Sequence, residues 1–521
     1  MSAFLPLLED GRCGLNEFFH LSLAIILKHK NQPVRVPFIS SFSFSWSRPD
    51  PLLNRCSLIL LYSLFHTGNP PSTRAQEAPP SNRLEIHAEA SPLPEGAITA
   101  EWPRFNGPLD DATSPETKLL EKWPEGGPRL LWEISKGEGY ASPAIKNGKL
   151  VLFHRLEGQE TVEALDAEKG TSLWNFEYPV EYRDRFGYSN GPRASPVIAD
   201  DLVLTHGVTA WLTCLELKTG KKIWQRNLAE EFEIPQSFFG KGSNPIVMDE
   251  KVIVNVGGSD QRCVVAFGLR DGKVKWITRD TWGASYSSPV KTVIHGKEVC
   301  LVFTGGESRP PEGGLLVIDP GNGTKLARFP WRASSFESAN AVPPLALGGN
   351  RVFLTECYEK GGIMLAFDEK FKPMVQWTDE TINVHWMTPV LSDGALYGVA
   401  GRHQLGAETF CIDPLSGKAF WRDRMRWSDE INGRSVELEL FRGALLKVDG
   451  SFLCLSEIGT LLRVAMDKKG WKIKDKTQLF LAPGTWTLPA ISKGLLYVMQ
   501  NETDRSTGKG PRLLCYDLRG K

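Results

Sequence analysis

Short apolar stretches, each about the length of a strand, recur along the chain between polar turns. Many begin with a small residue and a proline, as in ASPAIKNGKLVLF from Ala141 and ASPVIADDLVLTH from Ala194. This step returns about every fifty residues, a period typical of stacked or radial repeats. Its prolines are Pro143, Pro196, Pro245, Pro289, Pro344, Pro389 and Pro489. A copy without proline, ALLKVDGSFLCLS from Ala444, falls in the one gap that is about twice too long.

The second half of each repeat is an apolar strand, a polar turn with glycine, and a strand that ends on a large aromatic residue. Clear copies are ALDAEKGTSLW ending at Trp174, CLELKTGKKIW at Trp224, AFGLRDGKVKW at Trp276 and CIDPLSGKAFW at Trp421. The two halves together predict about four short strands per repeat, the content of one propeller blade. No helical periodicity persists along the repeats.

The two ends of the repeat region are complementary. The last copy stops at CYDLRGK, and an isolated copy of the missing strand, PRLLWEIS with Trp132, precedes the first repeat. The N-terminal strand can therefore complete the last blade and remove both sheet edges. The prediction is an all-β, eight-bladed β-propeller of four-stranded antiparallel blades over residues 101–521, closed by the strand near Trp132.

Residues 1–100 lack the repeat, and we assign them to a signal and linker region. Residues 56–65 form an apolar run, CSLILLYSLF, which follows Arg48 and Arg55 and precedes a Thr-x-Ala pattern at Thr73. This pattern predicts a secretory signal that is too short for a membrane span. The protein is therefore expected to be exported, to the periplasm or the cell envelope.

The predicted signal lies unusually deep in the chain. We therefore interpret the segment before about residue 45 as a mis-assigned extension, although no methionine lies between Met1 and Met248. A hydrophobic or disordered tail is the alternative interpretation. Residues 69–100, rich in Pro, Ser and Glu, predict a flexible linker.

Composition excludes two classes of protein. Lys and Arg number 61, as do Asp and Glu, and no basic stripe indicates a nucleic-acid partner. The nine cysteines include no CxxC and no adjacent pair, so a disulfide framework is not expected. Cys214, Cys411 and Cys515 occupy the position of Ala164 and Ala266 in other repeats, which predicts small buried core residues.

The opening EWPRFNGPLDDATSPETKLLEKWPEGGPRLLW, the proline-step strands and the ALDAEKGTSLW-type halves resemble bacterial quinoprotein-type propellers, the PQQ-like repeat proteins. The resemblance covers residues 102–521. It implies the propeller fold but not one function, because that fold serves both cofactor-dependent dehydrogenases and cofactor-free scaffolds such as the BamB type.

For the enzymes, the resemblance implies pyrroloquinoline quinone (PQQ) on the channel axis over a Trp floor. A Ca²⁺ is held by an acidic residue and an Asn, an Asp serves as base, and many members have adjacent cysteines. This chain has no adjacent cysteines. DEINGR, from Asp429, supplies acidic and Asn residues, and it is expected in a loop of the weakest repeat.

In a propeller, the linkers between blades converge around one mouth of the channel. The most distinctive linker here is EYPVEYRDRFGYSNGPR, residues 177–193. Its polar and aromatic residues make it a candidate ligand site. They are Arg183, Asp184, Arg185, Tyr188, Asn190 and Arg193.

A ring is expected from the residues three positions before each repeat proline, or before Leu445 in the degenerate copy. They are Tyr140, Arg193, Gly242, Tyr286, Ala341, Trp386, Arg442 and Trp486. Four aromatics and two arginines would there face an aromatic, sugar-like or anionic ligand. The alternative is that the aromatics wedge between blades while the arginines, and Asp184, form local ion pairs.

Two histidines, His385 beside Trp386 and His403, fall in or near mouth loops of the later repeats. Neither has a second ligand at metal spacing, so no metal is predicted. GxSxG, HExxH and P-loop patterns are absent from the sequence.

The sequence thus favours an exported, cofactor-free propeller that binds a protein or a small ligand at its channel mouth. The alternative is a periplasmic PQQ-dependent oxidoreductase of the alcohol or sugar dehydrogenase type, with calcium.

Overall fold

The structure, a computed structural model, describes residues 83–431 and 433–520. The predicted signal and the segment before residue 45 lie outside the described residues. Within the described part, no helix has the length and apolar character that crossing a membrane requires. Three short strands precede the repeats: β1 (Leu84–Ile86), β2 (Thr113–Ser114) and β3 (Arg129–Ser135).

Each of the first four blades is a sheet of four antiparallel strands, and each first strand follows a proline step. In the first blade the turn from the first to the second strand is Asn147–Gly148, with φ of 52° and 70°, as a two-residue type I′ hairpin requires. The strands are β4 (Ala144–Lys146), β5 (Lys149–Leu156), β6 (Gln159–Asp166), β7 (Ser172–Pro179), β8 (Val197–Ala199), β9 (Leu202–His206), β10 (Trp211–Glu216), β11 (Lys222–Asn227), β12 (Ile246–Met248), β13 (Lys251–Asn255), β14 (Arg262–Gly268), β15 (Val274–Arg279), β16 (Val290–Ile294), β17 (Lys297–Thr304), β18 (Gly314–Ile318) and β19 (Lys325–Pro330), with the short helix α1 (Leu228–Phe232) after β11.

The later blades follow the same plan, and a two-stranded hairpin, β28–β29, is inserted between the sixth and seventh. The strands are β20 (Leu345–Ala346), β21 (Arg351–Glu356), β22 (Gly361–Phe367), β23 (Pro373–Asp379), β24 (Val390–Ser392), β25 (Ala395–Ala400), β26 (Glu408–Ile412), β27 (Ala419–Asp423), β28 (Arg426–Ile431), β29 (Arg434–Glu439), β30 (Ala444–Val448), β31 (Ser451–Leu455), β32 (Thr460–Asp467), β33 (Gly470–Gln478), β34 (Ala490–Ser492), β35 (Leu495–Gln500) and β36 (Arg512–Asp517).

The predicted ring of eight blades is confirmed. The copy without proline forms the seventh blade, β30 to β33. In the eighth blade, β3 pairs antiparallel with β36, with Trp132 opposite Cys515. The innermost strand of that blade, β34, packs beside β4 of the first blade. The strand from the N-terminal side of the repeats therefore completes the last blade, which closes the sheet order around the axis.

The tryptophan that ends most repeats joins neighbouring blades. Trp174, on the outer strand β7, donates a 3.0 Å hydrogen bond from Nε1 to the carbonyl of Leu217 in the next blade. Its ring lies under Gly220, whose φ is 71° and whose Cβ, if present, would be 2.5 Å from the ring. The turn glycine therefore supplies both a left-handed backbone and room for the neighbouring indole. The same contact pairs Trp132 with Gly170, Trp224 with Gly272, Trp276 with Gly323, and Trp377 with Gly417.

The residue before the repeat proline joins the blades again, close to the axis. The backbone N–H of Ser142 donates to Oγ of Ser195 at 2.9 Å. The N–H of Ser195 donates to Oδ1 of Asn244, and the N–H of Asn244 to Oγ of Ser288 at 3.1 Å. A short polar side chain at this position therefore satisfies a backbone donor of the preceding blade.

Residues 102–114, named here the crossing segment, span the channel on the side away from the linkers. Trp102 pairs with Ile145 in the first blade, and β2 pairs with β30 in the seventh. Between these attachments, the Asn106 amide donates to Oγ1 of Thr388 in the sixth blade at 2.9 Å. Trp102 is fully buried. The carbonyl of Pro103 also accepts from the N–H of Ile198 in the second blade, so the crossing segment contacts the second and sixth blades, which are opposite each other in the ring.

Part of the predicted linker belongs to the propeller instead. β1 pairs with β3 and forms a fifth strand on the eighth blade. The backbone N–H of Ser91 donates to the carboxylate of Asp517 at 2.8 Å. The flexible-linker prediction is therefore wrong for residues 83–100, because residues 83–88 bond to the edge of β3 that the repeat pattern leaves unpaired, and the carbonyl of Ala100 accepts from Ser492 and Lys493 of the same blade.

The cysteines are core residues, as predicted. Cys214, Cys411 and Cys515 lie opposite Trp224, Trp421 and Trp132 in their sheets, the place that Ala164 has opposite Trp174. All seven cysteines within the described residues are buried and free. A small side chain here leaves room for the large aromatic across the strand pair.

Candidate ligand site at the channel mouth

The linkers meet on one face of the ring, named here the linker face, and much of the predicted ring of equivalent positions is present. Tyr140 and Trp486, in the first and eighth blades, have ring centroids 5.3 Å apart. A Cβ on Gly242 would lie 3.1 Å from the Tyr286 ring and 3.6 Å from Cβ of Arg193. The repeat register thus places residues of successive blades side by side around the mouth.

Aromatic side chains fill much of this mouth. Trp486 lies 5.2 Å from Trp386 and 5.5 Å from Tyr188, measured between ring centroids. Phe239 then connects Tyr188 to Tyr286, at 5.9 Å and 5.8 Å. We name these residues together with Tyr140 the mouth cluster: Tyr140, Tyr188, Phe239, Tyr286, Trp386 and Trp486. Its rings are in contact with one another, so they pack across the mouth as well as around it.

Three phenylalanines continue the mouth cluster outward along the linker face. Phe186 contacts Phe238 and Phe239, with centroids 5.7 Å and 5.3 Å apart, and Phe238 contacts Phe336 at 5.3 Å. Phe186 is 49% exposed, and Tyr188 is 39% exposed. The sequence identified the linker that carries Phe186, but it did not reveal the contacts between these three phenylalanines.

The linker of residues 177–193 is organised by the buried side chain of Asp184. Its carboxylate accepts hydrogen bonds from the backbone N–H groups of Phe186 at 2.9 Å and Tyr188 at 3.2 Å, and from Arg193 at 2.6 Å. Asn190 accepts from the N–H of Asp184 at 2.9 Å. Asp184 and Arg193 therefore form the local ion pair that the alternative interpretation expected, and they fix the loop that presents Phe186 and Tyr188.

The other polar residues of this linker differ in their surroundings. Asn190 donates from Nδ2 to Glu138 at 3.1 Å, which ties the loop to the segment before Tyr140. Arg183 and Arg185 are exposed, and no carboxylate of the described residues lies within ion-pair distance of either guanidinium. Both guanidinium groups are therefore accessible to solvent.

On the other side of the mouth, the carboxylate of Glu457 accepts hydrogen bonds from two of the equivalent positions, Arg442 and Trp486. Arg442 donates to it through Nε at 3.1 Å and through Nη2, and Trp486 donates through Nε1 at 2.5 Å. Arg442 also lies over the rings of Trp386 and Trp486, 4.5 Å and 5.7 Å from their centroids. The sequence did not single out Glu457; its only signal was an acidic residue in a short apolar turn, SEIG.

Tyr286 is held in a similar way. Its hydroxyl donates to Glu307 at 2.5 Å and accepts from the N–H of Phe239 at 3.0 Å. Burial, together with the nearby Glu307 carboxylate, raises the pKa of Tyr286 well above its ordinary value, so its proton stays on the oxygen at neutral pH.

The two candidate histidines are in different environments. His385 stacks on Trp386, with centroids 4.0 Å apart, and burial moves its pKa well below the ordinary value. It is therefore neutral at physiological pH. His403 is exposed. Neither belongs to the cluster of possible metal ligands found in the described residues, which is Glu85, His87 and Glu133 in the eighth blade.

The residues at the mouth do not fit PQQ with calcium. The mouth cluster packs its aromatic rings against one another, so a planar cofactor would have to displace them. Three carboxylates there, Asp184, Glu307 and Glu457, already accept hydrogen bonds from protein donors, while the carboxylate of Glu502, near Tyr140, accepts none within the described residues. A hard cation needs several oxygen ligands with free lone pairs. The geometry therefore opposes metal-assisted quinone chemistry at this position.

The DEINGR motif lies elsewhere than predicted. Its described residues belong to the β28–β29 hairpin between the sixth and seventh blades, not to a loop of the seventh. Asp429 forms a 3.0 Å ion pair with Lys476 on the outer strand of the seventh blade. This carboxylate stabilises the hairpin against its neighbour and lies apart from the mouth cluster.

The comparisons with known proteins agree with the repeat. A family model described as outer membrane protein assembly factor BamB matches residues 128–230 and 158–423. The 1-butanol dehydrogenase (cytochrome c) of Thauera butanivorans is 26% identical over 182 residues, which are 33% of this chain and 24% of that protein. Quinoprotein alcohol dehydrogenase PedH of Pseudomonas putida is 20% identical over 358 residues, 56% of this chain and 58% of that protein.

The chain thus spans a quarter of one relative and somewhat more than half of the other. Among solved structures, a europium-containing methanol dehydrogenase superposes with a TM-score of 0.54 at 13% identity, over 80% of this chain and 98% of that one. The quinohemoprotein alcohol dehydrogenase of Comamonas testosteroni has a TM-score of 0.54 at 14% identity, over 81% of each chain. At this identity the similarity shows the fold, and the chemistry must come from the site.

Proposed function

The chain belongs to the family described as outer membrane protein assembly factor BamB, and from this premise we propose that it is a non-enzymatic propeller that binds a partner protein at its linker face. The observation that carries the proposal is the continuous aromatic surface of the mouth cluster and its three neighbouring phenylalanines. Phe186, at 49% exposure, and Tyr188, at 39%, are its most accessible members.

The composition of this surface supports a protein partner. Aromatic residues and arginine dominate the energetically important centres of protein interfaces. Here they lie on linkers whose shape is fixed by internal bonds such as Asp184 to Arg193. A preformed surface loses little conformational entropy on binding. An accessible aromatic patch of this kind is a common mark of an interaction site.

The mouth offers little to an enzymatic mechanism. A general base needs a lone pair directed at the substrate, but Asp184 and Glu457 are occupied by Arg193, Arg442 and Trp486. This leaves the half-buried Glu502, whose pKa burial raises, as a lone carboxylate without a second catalytic group bound to it within the described residues. The curated relatives are named as dehydrogenases, so the proposal is tested against a PQQ-dependent reaction.

Export is part of the proposal and rests on the predicted signal at residues 56–65.

One experiment separates the binding protein from the oxidoreductase. The purified chain is titrated with PQQ in the presence of Ca²⁺ or, separately, Eu³⁺, and dye-coupled oxidation of primary alcohols is followed. We expect no saturable change in PQQ absorbance and no turnover. Micromolar PQQ binding with alcohol oxidation would reverse the proposal.

A second experiment tests partner binding directly. A random peptide display library is selected on the immobilised protein, and the enriched peptides are assayed against variants. F186A/Y188A should weaken binding by about tenfold or more, because both removed rings are accessible. The matched control is I223A, which removes a side chain of 43% exposure from the outer strand β11. A library that yields no binder, or binders insensitive to F186A/Y188A, would contradict the proposed site.

A further inference from the structure

We propose that the partner segment bound at the linker face is acidic, and that its carboxylates bind Arg183 and Arg185. This inference rests on the proposed function, because it names the chemistry of the partner at the same site. Both arginines are exposed on the linker that presents Phe186 and Tyr188. They flank Asp184, whose buried carboxylate is directed to Arg193 instead.

At the mouth, the negative and the positive side chains differ in how exposed they are to solvent. The carboxylates of Asp184 and Glu457 are buried and paired inside the protein, with Arg193 and Arg442 respectively. Glu307 likewise accepts from Tyr286 and from the N–H of Phe238. Asp184 and Glu457 are therefore neutralised by paired arginines, whereas Glu307 is held by neutral donors and Glu502, half-buried near Tyr140, keeps its charge.

Two further cations border the aromatic surface. The guanidinium of Arg309 lies 4.0 Å from the ring centroid of Phe336, and that of Arg402 lies 4.4 Å from the ring centroid of Tyr358. Both are exposed, and the carboxylate of Glu337, whose pKa is lowered by the Ser335 hydroxyl and less strongly by these two guanidinium groups, offsets part of their charge. Arg183 and Arg185 carry the proposal because they lie on the same linker as the two accessible rings, Phe186 and Tyr188.

An acidic segment with at least one apolar side chain matches these features together. The apolar side chain can pack on Phe186 and Phe238, whose rings are 5.7 Å apart, while neighbouring carboxylates receive bidentate hydrogen bonds from the guanidinium groups. Complementary charge of this kind accelerates association and selects against basic partners. We therefore expect aromatic packing to supply most of the affinity and the two arginines to supply the specificity for acidic segments.

The test uses defined probes on the complete chain. Three labelled peptides share one sequence in which Phe alternates with a second residue, which is Asp, Asn or Lys. We expect the Asp peptide to bind more tightly than the Asn peptide and the Lys peptide to bind least. Binding of the Asp peptide should weaken with added NaCl, since exposed charges are screened.

The variants locate the effect. R183Q/R185Q should weaken the Asp peptide by about two- to tenfold and leave the Asn peptide unchanged. The control R351Q removes an exposed arginine at the start of β21, on the side away from the linkers, and should change neither. Equal binding of the Asp and Asn peptides, or an unchanged affinity in R183Q/R185Q, would overturn the inference.

The two proposals fail differently. If no peptide of any charge binds and the display library yields no binder, the proposed function is wrong and the acidic partner falls with it. If display selects peptides that are sensitive to F186A/Y188A but not enriched in Asp or Glu, the binding site stands and only the acidic partner is wrong.

Discussion

Arg193 donates a 2.6 Å hydrogen bond to the buried carboxylate of Asp184, nine residues earlier in the same linker. The arginines adjacent in sequence, Arg183 and Arg185, point to solvent instead. Because the same carboxylate accepts from the N–H groups of Phe186 and Tyr188, the ion pair closes the linker into one defined loop. One charged pair thus determines which aromatic rings reach the surface of the linker face.

D184N should loosen this loop. Asparagine keeps an acceptor for the two backbone N–H groups but leaves the guanidinium of Arg193, only 12% exposed, without its counter-charge. We expect a loss of about 2–4 kcal/mol in the free energy of unfolding. Amide hydrogen exchange at residues 184–190 should rise before global unfolding.

The matched control is R183Q, which removes an exposed charge from the same linker. Its stability should stay within about 0.5 kcal/mol of the parent. Similar exchange rates in D184N and R183Q would show that the Asp184–Arg193 pair does not hold the loop.

Much of the fold could be predicted from the sequence because each blade repeats the same local chemistry. The proline step marks an inner strand, and the Asp-to-Gly turn marks the outer hairpin. The number of blades and the closure of the ring could therefore be predicted. The contact of Gly220 with Trp174 joins two blades. The turn sequence predicts a positive φ at Gly220. The space that the Trp174 ring requires there depends on how two blades pack together, so it could not be predicted from the sequence.

The candidate site was predictable as a set of positions but not as a network. The register identified Tyr140, Trp386 and Trp486 as neighbours of the axis. It could not reveal that Glu457 accepts from Trp486 and Arg442, because pairing across blades depends on side-chain reach in three dimensions. Residues 83–100 were misassigned for a similar reason: β1 is held by an edge of the eighth blade rather than by a pattern of its own.

G220A should destabilise the propeller more than a glycine-to-alanine change at a position with a similar φ but open space around it. Alanine would have to adopt a φ near 71° and place its Cβ 2.5 Å from the Trp174 ring, which must move. The control G148A has a φ of 70° and no atom within 4 Å of the added carbon. We expect G148A to cost about 1–2 kcal/mol and G220A about 1–3 kcal/mol more, by urea denaturation. Equal costs would mean that the backbone alone requires glycine.

E160Q should change how stability depends on pH. Burial raises the pKa of Glu160 to about 7, although Tyr178 and the N–H of Val208 donate to its carboxylate. The folded state therefore holds this proton over a range in which the unfolded chain, with an ordinary pKa of 4.5, has released it. The stability that the protonated group contributes is complete below about pH 4.5 and is lost as the pH rises through about 7.

The measurement is the free energy of unfolding of parent and variant at each pH from about 4 to 8. E160Q should gain up to about 3 kcal/mol relative to the parent over this range. The comparison must be made at each pH, because the pKa values of His154 and His206 are lowered by burial to about 3 and about 4 and oppose this trend. E356Q should behave alike, since burial also raises the pKa of Glu356 to about 7. A constant difference across the range would contradict the assigned shift.

W386F should report directly on the packing of the mouth. Trp386 and Trp486 lie 5.2 Å apart with their ring planes inclined by 51°, so their electronic transitions should couple and give an exciton pair of bands in far-ultraviolet circular dichroism. Removing either indole abolishes the coupling. The difference spectra of W386F, W486F and the double variant should therefore share the same pair of bands, while W421F on the outer strand β27 should lack it. If the difference spectrum of the double variant equals the sum of those of W386F and W486F, the two indoles are not coupled. That result would mean that the rings are not in contact and that the mouth is open.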